Sequence, residues 1–329
     1  MIVKFIVVTI SLFLIELLYL KIARIKNIKD TPNHRSAHKN PTLRGGGIIV
    51  AVSVIIYAVF FHSISFQFYF FLSATLLVAI ISFIDDLIKL SSKLRLITHF
   101  IAFLLIFYSL NLFSDSSLAG ILFIIFIYLF SIGFLNIYNF MDGINGITFL
   151  NALVSYSTLL YLNKYYIVFT ENNLLITLII SILVFGFFNF RKKAICFAGD
   201  IGSITIGFSL IYFVLKLYLA SNNLSVLLIF TVYLTDGVWT ILERLYRREN
   251  IFEAHSRHLY QLLANNLKID HLKVSTYYFF IQISINILLV LSLTNSINPL
   301  VVLSILALLL SIIYIKIKKR TIKKSSGLL

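Results

Sequence analysis

Cysteine is nearly missing from this chain of 329 residues: Cys196 stands alone. That excludes a disulfide framework and any zinc site built on cysteines. Charge is scarce too, at 12% of residues, against about 25% in an ordinary soluble domain. Acidic side chains are the scarcer sign, 13 against 28 lysines and arginines. No internal repeat, low-complexity linker or soluble domain interrupts the chain. No segment alternates apolar and polar residues as the strands of a membrane β-barrel do. The first apolar run, 2–20, has no small-x-small cleavage site, so it reads as a retained helix rather than a signal peptide.

What fills the chain is apolar sequence. Hydrophobic residues make up 60% of it, and the mean hydropathy is +0.96. Runs of about 17–25 apolar residues span a bilayer as helices. Such runs lie near 2–20, 46–62, 65–84, 96–113, 119–140, 147–163, 173–190, 201–219, 224–241, 275–293 and 297–315. The expected fold is therefore all-α: a polytopic integral membrane protein of about eleven transmembrane helices, one domain over 1–329.

The net charge of +15 is mostly topology. Lysines and arginines gather at 21–44, 89–95, 191–193, 244–273 and 316–324, while Lys4, Lys164 and Lys216 fall on or near the other side. The positive-inside rule then places the N-terminus outside and the C-terminus in the cytoplasm. The cytoplasmic loops fall near 21–45, 85–95, 141–146, 191–200 and 242–273. The charge is accounted for without a nucleic-acid partner, and membrane lipids surround the chain.

The unusual polar clusters all fall on that cytoplasmic side. Asp85 and Asp86 close the third span, Asp142 lies between the fifth and sixth, and Asp200 opens the eighth. Ionised acids beside hydrocarbon are costly unless paired, solvated or metal-bound. Four at one membrane depth suit Mg2+, a hard ion served by carboxylate and phosphate oxygens. The plainer reading of a single acid is anchoring, or pairing with Lys89 or Arg95.

Glycines flank two of the acids, in "DGINGI" (142–147) and "GDIGS" (199–203). Glycine permits close approach of backbone to a ligand, and amides at helix starts attract phosphate. For Gly202 and Gly207, helix packing is the equal alternative. "RGGG" (44–47) places Arg44 at a helix entry, where it can grip phosphate with help from the glycine amides. His255 and His258 share a helix face at i, i+3. With no cysteine and no third ligand nearby, they suit a phosphate or sugar contact better than zinc. Asp236 either serves the site or pairs with Arg244; in either case its loss is expected to be milder than that of Asp85.

In order, these motifs resemble the bacterial polyprenyl-phosphate N-acetylhexosamine-1-phosphate transferases (glycosyltransferase family 4 type), from about residue 30 to 263. The acidic pair corresponds to Asp85–Asp86. The N-x-x-N-x-x-D-G segment is Asn136, Asn139, Asp142 and Gly143, and F-x-G-D-x-G-S is Phe197, Gly199, Asp200, Gly202 and Ser203. "D-x-P-N-x-R-S-x-H…P-T-x-R-G-G-G" with "H-x-x-H-L-Y-Q" looks most like the O-antigen-initiating branch. The wall-precursor branch is expected to carry a run of histidines in the last large loop. Departures are Asn145 in place of a second acid, "NFRKKAICF" without prolines, and an inverted order in "HSRH".

The resemblance implies transfer of an N-acetylhexosamine 1-phosphate from a UDP-sugar to undecaprenyl phosphate, releasing UMP. This would be the first membrane step of O-antigen or other surface polysaccharide synthesis, at the bacterial cytoplasmic (inner) membrane. It implies Asp200 as the Mg2+ ligand, with Mn2+ as the alternative ion. Catalytic roles fall to Asp85, Asp86 and Asp142, and nucleotide or sugar contacts to Asn139, Gly143, Ile144, Phe197, His255 and His258. Arg44, Lys89 and Lys93 are the phosphate-binding candidates. The wall-synthesis branch suggests a homodimer. The alternatives are a wall-precursor or teichoic-acid member of the same family and, in a different class, a secondary transporter or lipid flippase.

Overall fold

A computed structural model describes residues 1–32, 40–61, 65–250, 256–294 and 298–325. The chain is helical nearly throughout. The helices are α1 (Ile2–Ile25), α2 (Ile48–Phe61), α3 (Phe66–Ile88), α4 (Ser92–Ser109), α5 (Leu118–Phe140) and α6 (Ile147–Tyr165). They continue with α7 (Asn172–Asn189), α8 (Gly199–Ser221), α9 (Thr231–Tyr246), the short α10 (Leu259–Gln261), α11 (His271–Thr294) and α12 (Pro299–Ser325). Each apolar run read from the sequence coincides with a helix, and eight helical segments are long and apolar enough to cross a membrane. The other three are α2, short at 14 residues, together with α6 and α12.

Helix starts follow local chemistry. Ser65, Ser91 and Ser117 each precede a helix, and each hydroxyl accepts a first-turn amide, from Phe68, Leu94 and Gly120. Serine at this position satisfies a donor that the helix itself cannot. The run expected at 224–241 has a break. It begins as a 3-10 helix, Leu224–Phe230, and becomes α-helical only at Thr231.

α8 is the axis of the bundle, buried almost continuously from Ile201 to Leu215. α3 and α5 pack along it, and Phe71 of α3 stacks on Tyr212 with ring centres 4.4 Å apart. Apolar burial does not drive helices together in lipid, so close packing must do so. A small-residue contact brings α2 against α8: a Cβ on Gly47 would stand 2.2 Å from the Gly202 Cα. This contact fixes the start of α8 beside the loop that precedes α2.

That loop contains the only named strands among the described residues. β1 (Lys29–Asp30) pairs antiparallel with β2 (Thr42–Leu43), a feature the apolar pattern does not announce. Residues 33–39 between them lie outside the described residues, and so does His255.

Candidate active site

One end of the bundle collects the acids. The first loop is bound edge-on to the segment that leads into α8. Leu43 accepts the Phe197 amide at 2.8 Å, Gly46 donates to the Phe197 carbonyl at 2.9 Å, and Gly47 donates to the Ala198 carbonyl at 3.1 Å. The amides expected to assist phosphate binding at Gly46 and Gly47 are thus committed to backbone. This corrects the reading of "RGGG" as an anion cradle at those two positions; what the segment does is deliver Arg44 to the first turn of α8.

Arg44 there joins two acids. Its Nε lies 2.7 Å from Asp86 Oδ1, and its Nη2 lies 3.0 Å from Asp200 Oδ1. Burial works against the Arg44 charge. The Asp86 and Asp200 carboxylates outweigh it, holding the guanidinium above its usual pKa. Arg95, one turn into α4, makes the second bridge, 3.0 Å from Asp85 Oδ2 and 3.9 Å from Asp200 Oδ2. Three acids and two arginines therefore form one connected cluster in which Asp200 is central. Arg95 is the pairing partner foreseen for the acids. Lys89, on the turn after α3, and Lys93, in the first turn of α4, stand exposed nearby.

The two adjacent acids differ. The Asp86 side chain has no exposed surface. Its carboxylate accepts the amides of Asp200 at 2.9 Å and Ile201 at 3.1 Å, so it caps α8 from another helix. Asp85 instead accepts the Leu90 amide at 2.5 Å, holding the turn into α4, and presents its other oxygen to Arg95. The Asn139 side chain faces Asp200 from α5.

Asp142 lies on the turn after α5, where the Thr148 hydroxyl donates to it at 2.6 Å. Burial raises its pKa to about 6; the Thr148 bond opposes the shift and the Asp200 charge adds to it. Gly143 abuts the hydroxyl of Tyr260, Ile144 is buried, and Phe197 is half-buried beside the first loop. Asn145, the departure from the family's second acid, is a structural tie. It donates to the Arg191 carbonyl at 2.8 Å and the Lys192 carbonyl at 3.2 Å, and accepts Ser275 on its own carbonyl.

His258 does not present itself as an open ligand. It is buried, with Nδ1 3.3 Å from Asp236 Oδ1. Asp236 also accepts the Leu259 and Tyr260 amides and the Tyr278 hydroxyl. Of the two alternatives for Asp236, pairing with Arg244 gives way: Arg244 meets Glu249 and the Asn250 carbonyl. Asp236 anchors the loop that carries His258, and its partners on that loop and on α11 lie 22 to 42 residues away, where no local pattern marks them.

The acids are hard oxygen donors, the kind that Mg2+ takes. Among the described residues no group of three or more His, Cys, Asp or Glu forms a ready cation site. Asp86 leaves the expected set of four, because both its oxygens serve α8 and Arg44. The donors that fit in kind are Asp200 with Asp85, which are in side-chain contact.

Residues 68–218 match the family model described as glycosyl transferase family 4, so the family resemblance holds over the part of the chain that carries Asp85, Asp142 and Asp200. A phospho-N-acetylmuramoyl-pentapeptide-transferase of Streptococcus sanguinis is 26% identical over 204 residues, 54% of this chain and 60% of the relative. That of Streptococcus agalactiae is 26% identical over 224 residues, 57% of this chain and 65% of the relative. That of Streptococcus gordonii is 28% identical over 243 residues, 66% and 71%. The chain thus spans less than two thirds of the length of the first two. These relatives bear the name of the wall-precursor enzyme. They back the wall-precursor alternative better than the O-antigen branch suggested by the loop motifs.

Proposed function

We propose that this chain, a multi-pass relative of the glycosyl transferase family 4 proteins over residues 68–218, is a phosphoglycosyl transferase. It would move a sugar 1-phosphate from a UDP-linked N-acetylhexosamine to undecaprenyl phosphate and release UMP. The relatives favour a wall-precursor donor, of the phospho-N-acetylmuramoyl-pentapeptide class, over an O-antigen donor. The site would face the cytoplasm at the inner membrane, where the basic loops lie.

The observation that carries this reading is the cluster of Asp85, Asp86 and Asp200 joined by Arg44 and Arg95 at one end of the bundle. Its position at helix ends suits a lipid phosphate meeting a cytosolic nucleotide, and it disfavours a transporter, whose acids gather near mid-membrane.

Phosphoryl transfer between two anions is mainly charge neutralisation and in-line positioning. Arg44 and Arg95 supply fixed positive charge beside Asp200, and Lys89 and Lys93 add it nearby. A phosphate monoester has a second pKa of about 6, so the acceptor is already largely a dianion at neutral pH and needs no strong base. Asp86 is fully engaged and acts by holding the α8 start. Asp85 and Asp142 are left to orient the reacting phosphates. When bound, Mg2+ on Asp200 and Asp85 would neutralise the donor diphosphate and the leaving UMP. Asn139 would steady Asp200, and Phe197, Gly143 and Ile144 would contact the nucleotide.

The test is turnover by purified protein in detergent with undecaprenyl phosphate, Mg2+ and a donor panel. The panel includes UDP-N-acetylmuramoyl-pentapeptide, UDP-N-acetylglucosamine and a UDP-6-deoxy-N-acetylhexosamine. UMP release with label entering the lipid, abolished by EDTA, is the expected result. Silence across the panel from folded protein would sink the reading.

A further inference from the structure

We propose that Tyr314 of α12 is a positioning residue for the active-site loop, acting through Asp236. This rests on the transferase reading. The last helix lies wholly outside the matched segment, 68–218, and carries none of the motif residues, yet it reaches the site by a continuous chain of bonds.

The chain begins at Lys318, which is buried although charged. Its Nζ lies 2.8 Å from Glu243 Oε2, 3.2 Å from the Thr240 hydroxyl and 3.2 Å from the Tyr314 hydroxyl. An ammonium only donates. The Tyr314 oxygen therefore accepts from Lys318, and the nearest acceptor for its own hydrogen is Asp236 Oδ1 at 2.9 Å, ahead of the Thr240 hydroxyl at 3.1 Å and the Asp236 carbonyl at 3.4 Å. Asp236 Oδ1 also accepts the Leu259 amide at 2.9 Å and faces His258 Nδ1 at 3.3 Å. The other oxygen accepts the Tyr278 hydroxyl at 2.6 Å and the Tyr260 amide at 3.3 Å.

Asp236 thus ties two helices, α11 and α12, to one loop. The loop delivers Tyr260, whose hydroxyl donates to the Phe140 carbonyl at 2.8 Å and fills the space a Cβ on Gly143 would need. Gly143 is the neighbour of Asp142. Tyr314 sets the rotation of the Asp236 carboxylate, the carboxylate sets His258–Tyr260, and Tyr260 sets the Asp142 turn. A misplacement of about 1 Å at reacting groups costs on the order of a hundredfold in rate, so support this far from the site has catalytic weight.

Tyr314→Phe in the full-length protein removes one hydroxyl and keeps the ring. Ser311→Ala is the control. It removes the bond from Trp239 Nε1 to Ser311, which also joins α9 to α12 but does not touch Asp236. Two readouts are needed: hydrogen exchange of the 256–266 peptide, and separate KM values for donor and lipid acceptor. Tyr314→Phe should speed exchange at Leu259 and Tyr260 by about tenfold and raise the donor KM several-fold, with the acceptor KM and melting temperature near wild type. Ser311→Ala should change neither readout. Unchanged exchange and donor KM in Tyr314→Phe, or equal effects in Ser311→Ala, would overturn the proposal. A wild-type protein that turns over no donor would refute the transferase reading, while exchange would still decide whether Tyr314 holds the loop.

Discussion

Asp86→Asn separates a structural acid from a reacting one. Three donors converge on Asp86: the Asp200 and Ile201 amides and Arg44 Nε. The carboxylate also sits at the N-terminus of α8, where negative charge is favoured. Asparagine keeps one oxygen and turns an NH2 group toward a donor that the second oxygen used to satisfy. Hydrogen bonds involving a charged group contribute about 1.5–3 kcal/mol each, and a buried donor left unsatisfied costs about 1–3 kcal/mol. One bond lost and the others weakened come to about 3 kcal/mol. The helix start also carries Asp200, so turnover falls together with stability.

The assay is thermal unfolding in detergent beside turnover measured well below the midpoint, with Asp85→Asn in parallel. Asp86→Asn should melt several degrees lower than wild type. Asp85→Asn should lose turnover with a smaller change in melting, because its partners are a turn amide and Arg95 rather than the start of the central helix. A wild-type melting curve for Asp86→Asn with turnover abolished would refute this assignment and return Asp86 to the reacting groups.

Asp200→Asn should lose Mg2+-dependent turnover; substantial activity with an unaltered metal requirement would remove Asp200 from the metal role. Gly47→Ala should lower the melting temperature by forcing α2 from α8, an overpacking cost of about 1–3 kcal/mol, whereas Gly133→Ala, with nothing within 4 Å of the added carbon, should not. Turnover should fall as pH drops through about 6, where Asp142 takes up its proton. Thr148→Val deletes the bond that favours the anion and should move this limb to higher pH; an unmoved limb would exclude Asp142 as its source. Stability runs the other way: an acid with a raised folded pKa favours the fold below its unfolded value and loses that contribution as pH rises through about 6. Asp236→Asn should cost at least as much turnover as Asp85→Asn, reversing the sequence ranking, because it turns a donor toward the loop amides and tyrosines; a clearly milder effect would show the anchor to be dispensable.

Length and apolarity are properties of single segments, so the spans were legible from the chain alone. The position of acids at helix ends was legible for the same reason. Partner choice was not. Asp86 meets the start of α8 across 114 residues, and Tyr314 meets Asp236 across 78. No local period records such pairings. The small strands of the first loop were hidden because two residues are too few to show alternation.

The Asp85–Asp86 pair shows why a motif can be found without its chemistry being assigned. Successive residues on a helix of 3.6 residues per turn point about 100° apart. Two adjacent acids at the end of α3 therefore cannot face one ligand in the same way. One turns into the bundle and caps α8; the other turns toward the α4 start and Arg95. In sequence they read as one acidic unit, while helical geometry obliges them to divide the work. The acid that meets Asp85 is Asp200, from a helix 23 residues long whose first turn Asp86 itself caps.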